Sequence, residues 1–384
     1  MIKLAFYYHI PISLCKNNTI AIPSYLGVFI DALANEVEHL TLVMHEANSR
    51  EAINCDYKVK SCNITWINLG YKTPSWHRAL AHKKLLKNKL KELLIDYFLI
   101  RSPSPLAPYF HRYIPQHKIR FLIVGDYESG SLRKKSIRNI AIDYYIKFNS
   151  YLFKKAIQNT PILVNSPALF DKYKDLATSC KLVGTTTLSK QDFFERVDTC
   201  TGNVVRLLYT GRIDLQKGLL ELVNVTGELI NEGGLIELHL VGWEDNLEKP
   251  IETFLKSKAR EMDISDKVVF HGKKKVGQEL NQFYRMADIY VIPSYHEGFP
   301  RTIWEAMANS LPIIATAVGG IPRFLSHEEH ALIITSKDEG ALKNAIIRLK
   351  TDSDLRKTLI KNGRDLAANQ ILEILTKELV KSIH

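Results

Sequence analysis

The sequence predicts an α/β protein built from two Rossmann-like domains, each a doubly wound sheet of parallel strands covered by helices. Strand and helix patterns alternate along almost the whole chain of 384 residues. The alternation lapses once, between Lys181 and Asn203, where Thr, Ser and Gly replace the apolar runs. A composition of 46% hydrophobic residues is enough to form two cores. We therefore predict domains at residues 1–190 and 191–366, followed by a C-terminal helix at 367–384 that packs back on the first domain.

The first domain opens with a strand at Lys3–Tyr8 and a helix at Tyr25–Glu38, whose Phe29, Leu33 and Val37 share one face. Short apolar runs then predict strands at Leu40–Met44, Ile64–Leu69, Tyr97–Ile100, Ile119–Val124 and Ile162–Asn165. This alternation of elements is typical of a doubly wound domain.

The second domain continues the same alternation, and its tail after Asp352 is predicted to be all helical. Its predicted strands are Val204–Tyr209, Ile236–Val241, Lys267–Phe270, Ile289–Ile292, Ile313–Ala315 and Ala331–Ile334. Parallel strands joined by crossovers bring their carboxyl ends to one edge of the sheet. The loops that follow these strands are therefore the first place to look for a site.

The opening segment, the apolar stretches and the cysteines of the chain indicate the cellular compartment of the protein. The opening segment MIKLAFYYHI has too short an apolar run for a signal peptide, so we predict a first strand there. No apolar stretch approaches the ~20 residues that a transmembrane helix needs. Five cysteines, an odd number without metal-ligand spacing, favour a reduced compartment. These observations predict a cytoplasmic protein that does not cross a membrane.

The stretch Ala287–Leu325 has the most informative pattern, because strand, loop and helix follow one another twice. Pro300 stands where a first helical turn begins, and Gly319-Gly320 precedes a second helix start. Two helix N-termini at one sheet edge suit a phosphate group. Glu297 lies in the first loop and Glu305 in the helix after it. This separation suits one ligand that carries hydroxyl groups and phosphates.

Two cations follow the first predicted strand of the second domain. Tyr209-Thr210-Gly211-Arg212 is followed by Lys217-Gly218. Gly211 allows a close approach of the backbone, and Arg212 with Lys217 can flank phosphates without a metal ion. The alternative is a pair of solvated side chains in a loop.

The two motifs together, YTGR with KG and then EGFP with a second Glu, resemble glycosyltransferase family 4, the retaining group 1 enzymes of GT-B fold. The resemblance spans about Val204 to Gly363. It implies GT-B architecture, in which two Rossmann-like domains face each other across a cleft. It also implies a UDP- or GDP-linked sugar as donor, a glycan or lipid-linked acceptor, neither cofactor nor metal, and a role in cell-surface polysaccharide or glycolipid synthesis.

The resemblance implies a role for each matching residue. Glu297 would stabilise charge at the reacting carbon, and Glu305 would accept hydrogen bonds from the ribose hydroxyls. The remaining donor-site residues are Gly211, Arg212, Lys217, Gly298, Phe299, Arg301 and Thr302. Pro300 replaces a glycine that is common in the family, so the phosphate contacts are assigned to the amides of Arg301 and Thr302.

The N-terminal half resembles the family only weakly. The family usually has a pair of glycines before the first helix, and this chain has Gly27 alone, which is the candidate for a further donor contact. Asp126, with Glu128 near it, is the candidate for the acceptor side of the catalytic site. The alternative for Asp126 is a turn or N-cap residue before a helix at Ser131.

The net charge of +11 is concentrated in one region. Between Tyr71 and Thr160 there are 18 Lys and Arg against 5 Asp and Glu. Two amphipathic segments there, RALAHKKLLKNKLKELL and LRKKSIRNIAIDYYIKFNSYLFKKA, suit either core-facing helices with basic outer faces or docking on an anionic membrane. In the first segment Leu80, Leu85, Leu86, Leu90, Leu93 and Leu94 fall near one face. No nucleic-acid module is present, so nucleic acid is not expected as a partner.

Other functions compete with a transferase. Another GT-B enzyme, such as an epimerase or a phosphorylase, and an inactive nucleotide-sugar-binding protein both remain open. A dinucleotide-dependent dehydrogenase is disfavoured because no G-x-G-x-x-G follows the first strand. Asp352 and Asp354 have the spacing of a metal motif, but they precede a helical pattern, so helix capping explains them better.

Overall fold

The computed structural model describes residues 1–15, 19–74, 78, 82–91, 93–126 and 137–384. Leu80, Glu128 and the helix start predicted at Ser131 lie outside these ranges. The chain forms two compact units. One comprises Met1–Thr185 with Glu373–His384, and the other comprises Thr186–Leu372.

The N-terminal unit contains a seven-stranded sheet in which all neighbouring strands are parallel. Its strands are β1 (Lys3–Tyr7), β4 (His39–Glu46), β6 (Ile64–Tyr71), β7 (Tyr97–Ser102), β8 (Ile119–Ile123), β9 (Pro161–Val164) and β10 (Ser179–Leu182). The order β10-β9-β8-β7-β1-β4-β6 reverses direction between β1 and β7. All the strands predicted in this half are confirmed, and β10 was not predicted.

A second, small sheet in this unit was not predicted either. Its antiparallel strands are β2 (Ser13–Leu14), β3 (Ile20–Ile22) and β5 (Tyr57–Lys58). Strands of two or three residues are too short to show an alternating pattern, so the sequence gives no signal for them.

The helices of the N-terminal unit cover the large sheet. In the described residues they are α1 (Ser24–Asn35), α2 (Ser49–Ala52), α3 (Lys83–Leu90), α4 (Ile137–Ile157) and α5 (Pro167–Tyr173). Leu86 and Leu90 of α3 are buried in the core with Phe98 and Phe110. The prediction that Leu94 shares this apolar face is wrong, because α3 ends before it and its side chain is exposed.

The C-terminal unit contains a six-stranded parallel sheet. Its strands are β11 (Val205–Arg212), β12 (Ile236–Trp243), β13 (Val268–Gly272), β14 (Ile289–Ile292), β15 (Ile313–Thr316) and β16 (Leu332–Ile334). The order β13-β12-β11-β14-β15-β16 places the reversal between β11 and β14. Every strand predicted for this half is confirmed. The chain therefore folds into two Rossmann-like units.

Helices follow the strands of this unit and pack against the sheet or against neighbouring helices. They are α6 (Leu219–Asn231), α7 (Pro250–Glu261), α8 (Gln278–Met286), α9 (Thr302–Ala308), α10 (Ile321–Phe324), α11 (Glu339–Thr351) and α12 (Ser353–Ala367). The last helix, α13 (Leu372–Ile383), belongs to the N-terminal unit from Glu373 onward. The Asp352 side chain accepts a hydrogen bond from the amide of Leu355. The predicted capping role of Asp352 is thus confirmed. None of the helices in the described ranges combines the length and apolar character needed to cross a bilayer.

A buried ion pair fastens the start of the C-terminal unit to its last helices. The Arg356 guanidinium donates to both oxygens of Asp198, with Nε–Oδ1 and Nη2–Oδ2 distances of 2.7 and 3.0 Å. Nη1 of Arg356 donates to the Leu349 carbonyl, and Ser353 Oγ donates to Asp198. Every strong donor of this buried guanidinium is therefore satisfied by the fold.

Asp198→Ala is expected to lower the free energy of unfolding by about 3–5 kcal/mol, because it leaves the Arg356 charge buried without a partner. Urea unfolding measures the change. The matched control is Glu328→Ala, whose ion pair with Arg348 is 45% and 43% exposed and should cost under about 1 kcal/mol. Equal losses in the two variants would contradict the buried role of Asp198.

Candidate active site

The candidate site lies at the carboxyl edge of the C-terminal sheet, where the strand order reverses between β11 and β14. Ligands of open α/β sheets bind at such switch points. Lys217 follows β11 and Glu297 follows β14, and Lys217 Nζ lies 2.6 Å from Glu297 Oε1. The two side chains are 17% and 12% exposed, so the ion pair is largely shielded from water. The fold thus joins two residues that the sequence assigns to one site.

The loops that carry this ion pair are held together by their backbones. The amide of Tyr295 donates to the carbonyl of Gln216 at 2.8 Å. Gly218 has a positive φ of 67°, and a Cβ there would lie 2.1 Å from the carbonyl oxygen of Pro293. Only glycine fits this approach, which explains the KG motif physically.

Glu297 is oriented by a second contact. Ser294 Oγ donates to Glu297 Oε1 at 2.8 Å, and the buried Ser294 is held in turn by Thr316 Oγ1, which donates to its carbonyl at 2.6 Å. Both described contacts of the carboxylate are to Oε1. The second oxygen, Oε2, has no hydrogen bond to the described residues.

The loop after β15 packs under the Glu297 loop. The amide of Gly320 donates to the Gly298 carbonyl at 2.5 Å. Gly319 has φ +57°, and a Cβ there would lie 1.8 Å from the carbonyl oxygen of Glu297. By contrast, a Cβ at Gly298 would meet no atom within 4 Å. Gly319 and Gly320 thus allow the close packing of this loop against the loop that carries Glu297.

Phe299 anchors the same loop, since its ring packs on Trp304 and Phe324 with centroid distances of 4.5 and 4.8 Å. Helix α9 begins after Arg301, and Thr302 Oγ1 accepts a hydrogen bond from Tyr290 at 2.6 Å. The predicted helix is confirmed, but it begins at Thr302, so Pro300 precedes its first turn. The phosphate contacts assigned to the Arg301 and Thr302 amides remain a prediction.

Glu305 lies in a different environment from Glu297. Its side chain is 8% exposed, Thr187 Oγ1 donates to Oε1 at 2.6 Å, and Tyr284 OH donates to Oε2 at 2.8 Å. Thr210 links the Tyr284 and Tyr290 hydroxyls at 2.7 and 3.2 Å. Burial raises the pKa of Glu305 above its ordinary value of 4.5, although both hydrogen bonds oppose the shift.

Sequence reasoning missed the partners of Glu305. Thr187 lies in the Thr- and Ser-rich segment that marks the domain boundary, where no periodic pattern singles out one hydroxyl. Tyr284 and Tyr290 fall at positions that the pattern assigns to a helix and a strand core.

Arg212 is paired with Asp245, which lies outside the Lys217–Glu297 ion pair. Its Nη1 lies 3.2 Å from Asp245 Oδ2, and Asp245 Oδ1 accepts a hydrogen bond from Trp243 Nε1 at 3.0 Å. The Lys273 ammonium lies 5.7 Å from the centre of the Trp243 ring. Arg212, which follows Gly211 at the end of β11, thus belongs to an exposed cluster, and its predicted contact with a diphosphate remains a prediction.

The two site candidates of the N-terminal unit have structural partners. Gly27 lies inside α1, where a Cβ would come within 2.2 Å of the Tyr57 ring, so its lack of a side chain makes room for that ring. Asp126 is paired with Lys172 and accepts a hydrogen bond from Tyr173 OH at 3.1 Å. These contacts explain both residues as packing and pairing residues, and their roles in binding and catalysis remain predictions.

Comparison with known proteins defines the class. Residues 195–366 match the family model described as glycosyl transferases group 1. The structure also superposes on HepE of Anabaena, solved in complex with UDP and glucose, with a TM-score of 0.71 and 14% identity over 100% of this chain and 99% of that one. At this identity the likeness shows the fold alone. The chain therefore has the GT-B fold, and its residues 195–366 are similar to the group 1 glycosyl transferases.

Two curated relatives match by sequence. Mannosylfructose-phosphate synthase of Agrobacterium fabrum is 36% identical over 141 residues, which cover 36% of this chain and 30% of that protein. The capsular polysaccharide biosynthesis glycosyltransferase CapM of Staphylococcus aureus is 27% identical over 179 residues, which cover 46% and 44%. The aligned segments span less than half the length of these relatives.

Gly319→Ala is expected to lower the free energy of unfolding by about 2–4 kcal/mol, because its Cβ would collide with the Glu297 carbonyl at a positive φ. Thermal or urea unfolding checks this. Gly298→Ala is the matched control in the facing loop, where the added methyl meets open space, and it should change stability by less than about 1 kcal/mol. A Gly319 variant as stable as the control would contradict the close packing of the two loops.

The raised pKa of Glu305 predicts a pH dependence of stability. The folded state holds the proton more tightly than the unfolded state, so the free energy of unfolding falls as pH rises from 4.5 up to the folded pKa. The slope is at most about 1.4 kcal/mol per pH unit for one group. Glu305→Gln should remove this part of the slope in urea unfolding series. Identical slopes in the two proteins would show that Glu305 does not titrate abnormally.

Proposed function

We propose that the chain is a retaining, metal-independent glycosyltransferase of family 4. It would move a sugar from a UDP- or GDP-linked donor to a glycan or lipid-linked acceptor in polysaccharide or glycolipid synthesis. The observation that carries the proposal is the Lys217–Glu297 pair at the switch point of the C-terminal sheet. There Lys217, a cation suited to phosphates, contacts Glu297, a carboxylate suited to sugar hydroxyls.

Lys217 would bind the donor diphosphate. Its ammonium is held beside the Glu297 carboxylate, so it is already directed into the edge of the sheet. Phosphate oxygens compete well for a lysine, because ionised partners make the strongest hydrogen bonds. Arg212 would join from the neighbouring cluster by exchanging Asp245 for a phosphate oxygen.

Glu297 would act on the sugar. Ser294 and Lys217 fix Oε1, which leaves Oε2 for donor hydroxyls and for charge that develops at the anomeric carbon. In the transfer, the acceptor oxygen bonds to the anomeric carbon while the bond from that carbon to the diphosphate breaks. The acceptor proton passes to a phosphate oxygen of the leaving nucleotide, so the protein contributes position and charge.

Glu305 would bind the ribose. A carboxylate offers about four acceptor positions, and Thr187 and Tyr284 use two of them. The remaining positions suit a pair of vicinal hydroxyl groups. Because both protein donors are themselves buried or held by Thr210, the carboxyl group is fixed before the nucleotide arrives.

The relatives support this proposal at the level of substrate class. CapM acts in capsular polysaccharide biosynthesis, and HepE was solved with UDP and glucose. A nucleotide-sugar donor and a polysaccharide pathway are therefore the natural proposals for this chain, in the cytoplasm or at the cytoplasmic face of a membrane.

Substitutions of Glu297 and Glu305 are expected to affect turnover and nucleotide affinity differently. Glu297→Gln should lower turnover by about a hundredfold or more, while nucleoside diphosphate affinity changes by less than about threefold. Glu305→Ala should weaken nucleoside diphosphate binding by about tenfold or more, because charged hydrogen bonds are lost. Calorimetry with UDP and GDP in EDTA measures affinity, and sugar transfer or donor hydrolysis measures turnover.

Glu248→Gln is the matched control, since this exposed glutamate lies outside the site. It should change neither quantity. Equal kinetic defects in the Glu297 and Glu305 variants would contradict the separate roles. Binding that requires added Mg²⁺ would contradict the metal-independent part of the proposal.

We further propose reversible docking on an anionic membrane through α4. Tyr144, Phe148 and Tyr151 are 72%, 56% and 62% exposed and recur at helical spacing, so they form one aromatic stripe. Lys147 and Lys155 are exposed on the same helix. Aromatic rings beside lysines suit the boundary between headgroups and acyl chains of an anionic bilayer. In α3, by contrast, the apolar face is already used in the core.

Replacing Tyr144, Phe148 and Tyr151 together by Ser should weaken sedimentation with phosphatidylglycerol vesicles by about tenfold or more, because the apolar anchor is lost. Wild-type binding should also weaken at high salt, where screening lengths fall to ~3 Å at 1 M. Leu247→Ser, at an exposed apolar residue of the other unit, is the control. Binding to neutral and anionic vesicles alike, or to neither, would contradict this docking.

A further inference from the structure

The N-terminal sheet has its own switch point, between β1 and β7, and polar side chains gather at its carboxyl edge. His9 lies two residues beyond β1, His45 lies near the end of β4, and Ser102 ends β7. Tyr7 of β1 pairs with Val43 of β4 and with Ile100 of β7, so the three polar residues follow at one level. The apolar core face of the sheet thus ends in imidazole and hydroxyl groups.

Several of these polar atoms are buried without a partner among the described residues. They are His9 Nδ1, His45 Nε2, Ser102 Oγ and, on the neighbouring segment, Thr73 Oγ1. His45 and Ser102 are fully buried. A buried polar group without a hydrogen bond costs about 1–3 kcal/mol, so four in one place indicate groups reserved for a ligand.

The hydrogen bonds of His45 define what its free nitrogen can do. Its Nδ1 lies 3.2 Å from the Gly70 carbonyl, which can only accept, so Nδ1 carries the proton. Burial lowers the pKa of His45 to about 3, so the ring is neutral and Nε2 is an acceptor. The free nitrogen therefore suits a hydroxyl group, or a proton that arrives together with an anion.

The charges around this edge are positive. Burial, then Lys72, Arg78 and Arg101, lower the pKa of His9 to about 4. Arg78 is positioned by two hydrogen bonds from Nε and Nη2 to the Thr73 carbonyl, which brings it beside the free Thr73 hydroxyl. Lys72 is paired with Glu51 at 2.6 Å.

Burial, together with the nearby cations, lowers the pKa of both imidazoles and holds them in the neutral form. An anion bound beside these cations would be held strongly, since it would meet positive charge and hydrogen-bond donors at a site that is partly shielded from water.

We propose that this edge, formed by His9, His45, Ser102, Lys72 and Arg78, binds a phosphate group carried by a hydroxylated acceptor such as a sugar phosphate. The inference rests on the proposed function, because it names the acceptor class of that transferase. A phosphate group offers three terminal oxygens for several converging donors, whereas a carboxylate offers two. The His45 acceptor nitrogen matches a neighbouring hydroxyl of the same molecule.

The test is nuclear magnetic resonance of the histidine rings in the full-length protein. Inorganic phosphate and glucose 6-phosphate are titrated separately, with UDP or GDP present in excess to fill the C-terminal site. Bound phosphate should shift the His9 and His45 resonances saturably and raise the pKa of His9, because an anion stabilises the imidazolium form. No variant is needed for this measurement. Unshifted His9 and His45 resonances would overturn the proposal.

Variants then identify the site. Arg78→Gln should weaken glucose 6-phosphate binding by about tenfold or more. Lys181→Gln removes one charge from the exposed edge strand β10 of the same sheet and should leave binding unchanged. Equal effects of the two variants would mean that only net charge matters and would contradict a defined site.

Two further arms separate the alternatives. Vesicles with phosphatidic acid present a lipid phosphate, and a His9 shift with these vesicles but not with glucose 6-phosphate would contradict a free sugar phosphate as the ligand. Nucleoside diphosphate binding on the same samples reports the C-terminal site independently. Its absence would contradict the proposed function, whereas its presence without any response of His9 would contradict the phosphate site alone.

Discussion

The ion pair between Lys217 and Glu297 joins the two loops on which the candidate active site depends. It can form only because β11 and β14 are neighbours at the point where the strand order reverses. Glycines then bring the loops within backbone contact, Gly218 against Pro293 and Gly319 against Glu297. A side chain at either glycine would push the loops apart, so the electrostatic feature depends on a steric one. The position of the Glu297 carboxylate thus depends on the strand order of the parallel sheet and on the glycines of the two loops together.

The two glutamates of the site show how the environment separates two identical groups. Glu297 contacts a lysine and a serine at the carboxyl edge of the sheet. Glu305 is buried and receives only neutral hydroxyl donors, from Thr187 and Tyr284, and burial raises its pKa. A carboxylate beside a cation suits developing charge, whereas a carboxyl group fixed by neutral donors suits recognition of neutral hydroxyls. The proposed roles at the sugar and at the ribose follow from this contrast.

Much of this arrangement can be predicted from the sequence, because the strands, the helix cap and the loop motifs each have a local sequence pattern. Apolar runs of strand length predicted every central strand of both sheets, and Asp352 was predicted as a helix cap from its position alone. The Lys217 and Glu297 motifs pointed to one site because parallel strands end at one edge. The sequence could not predict the partners Thr187 and Asp245, since hydroxyls and carboxylates in irregular segments have no periodicity. It also could not predict that Arg212 would turn to Asp245, because side-chain pairing depends on distances set by the whole fold.

The measurement that tests the central claim most directly is a crystal structure of the full-length protein with a nucleoside diphosphate bound. The account predicts diphosphate oxygens within hydrogen-bond distance of Lys217 Nζ, at the carboxyl ends of β11 and β14, and ribose hydroxyls at the Glu305 carboxyl group. Glu297 should then face the space beyond the terminal phosphate, where the sugar would stand. A nucleotide bound elsewhere, with the Lys217–Glu297 pair intact and its surroundings empty of phosphate, would contradict the account.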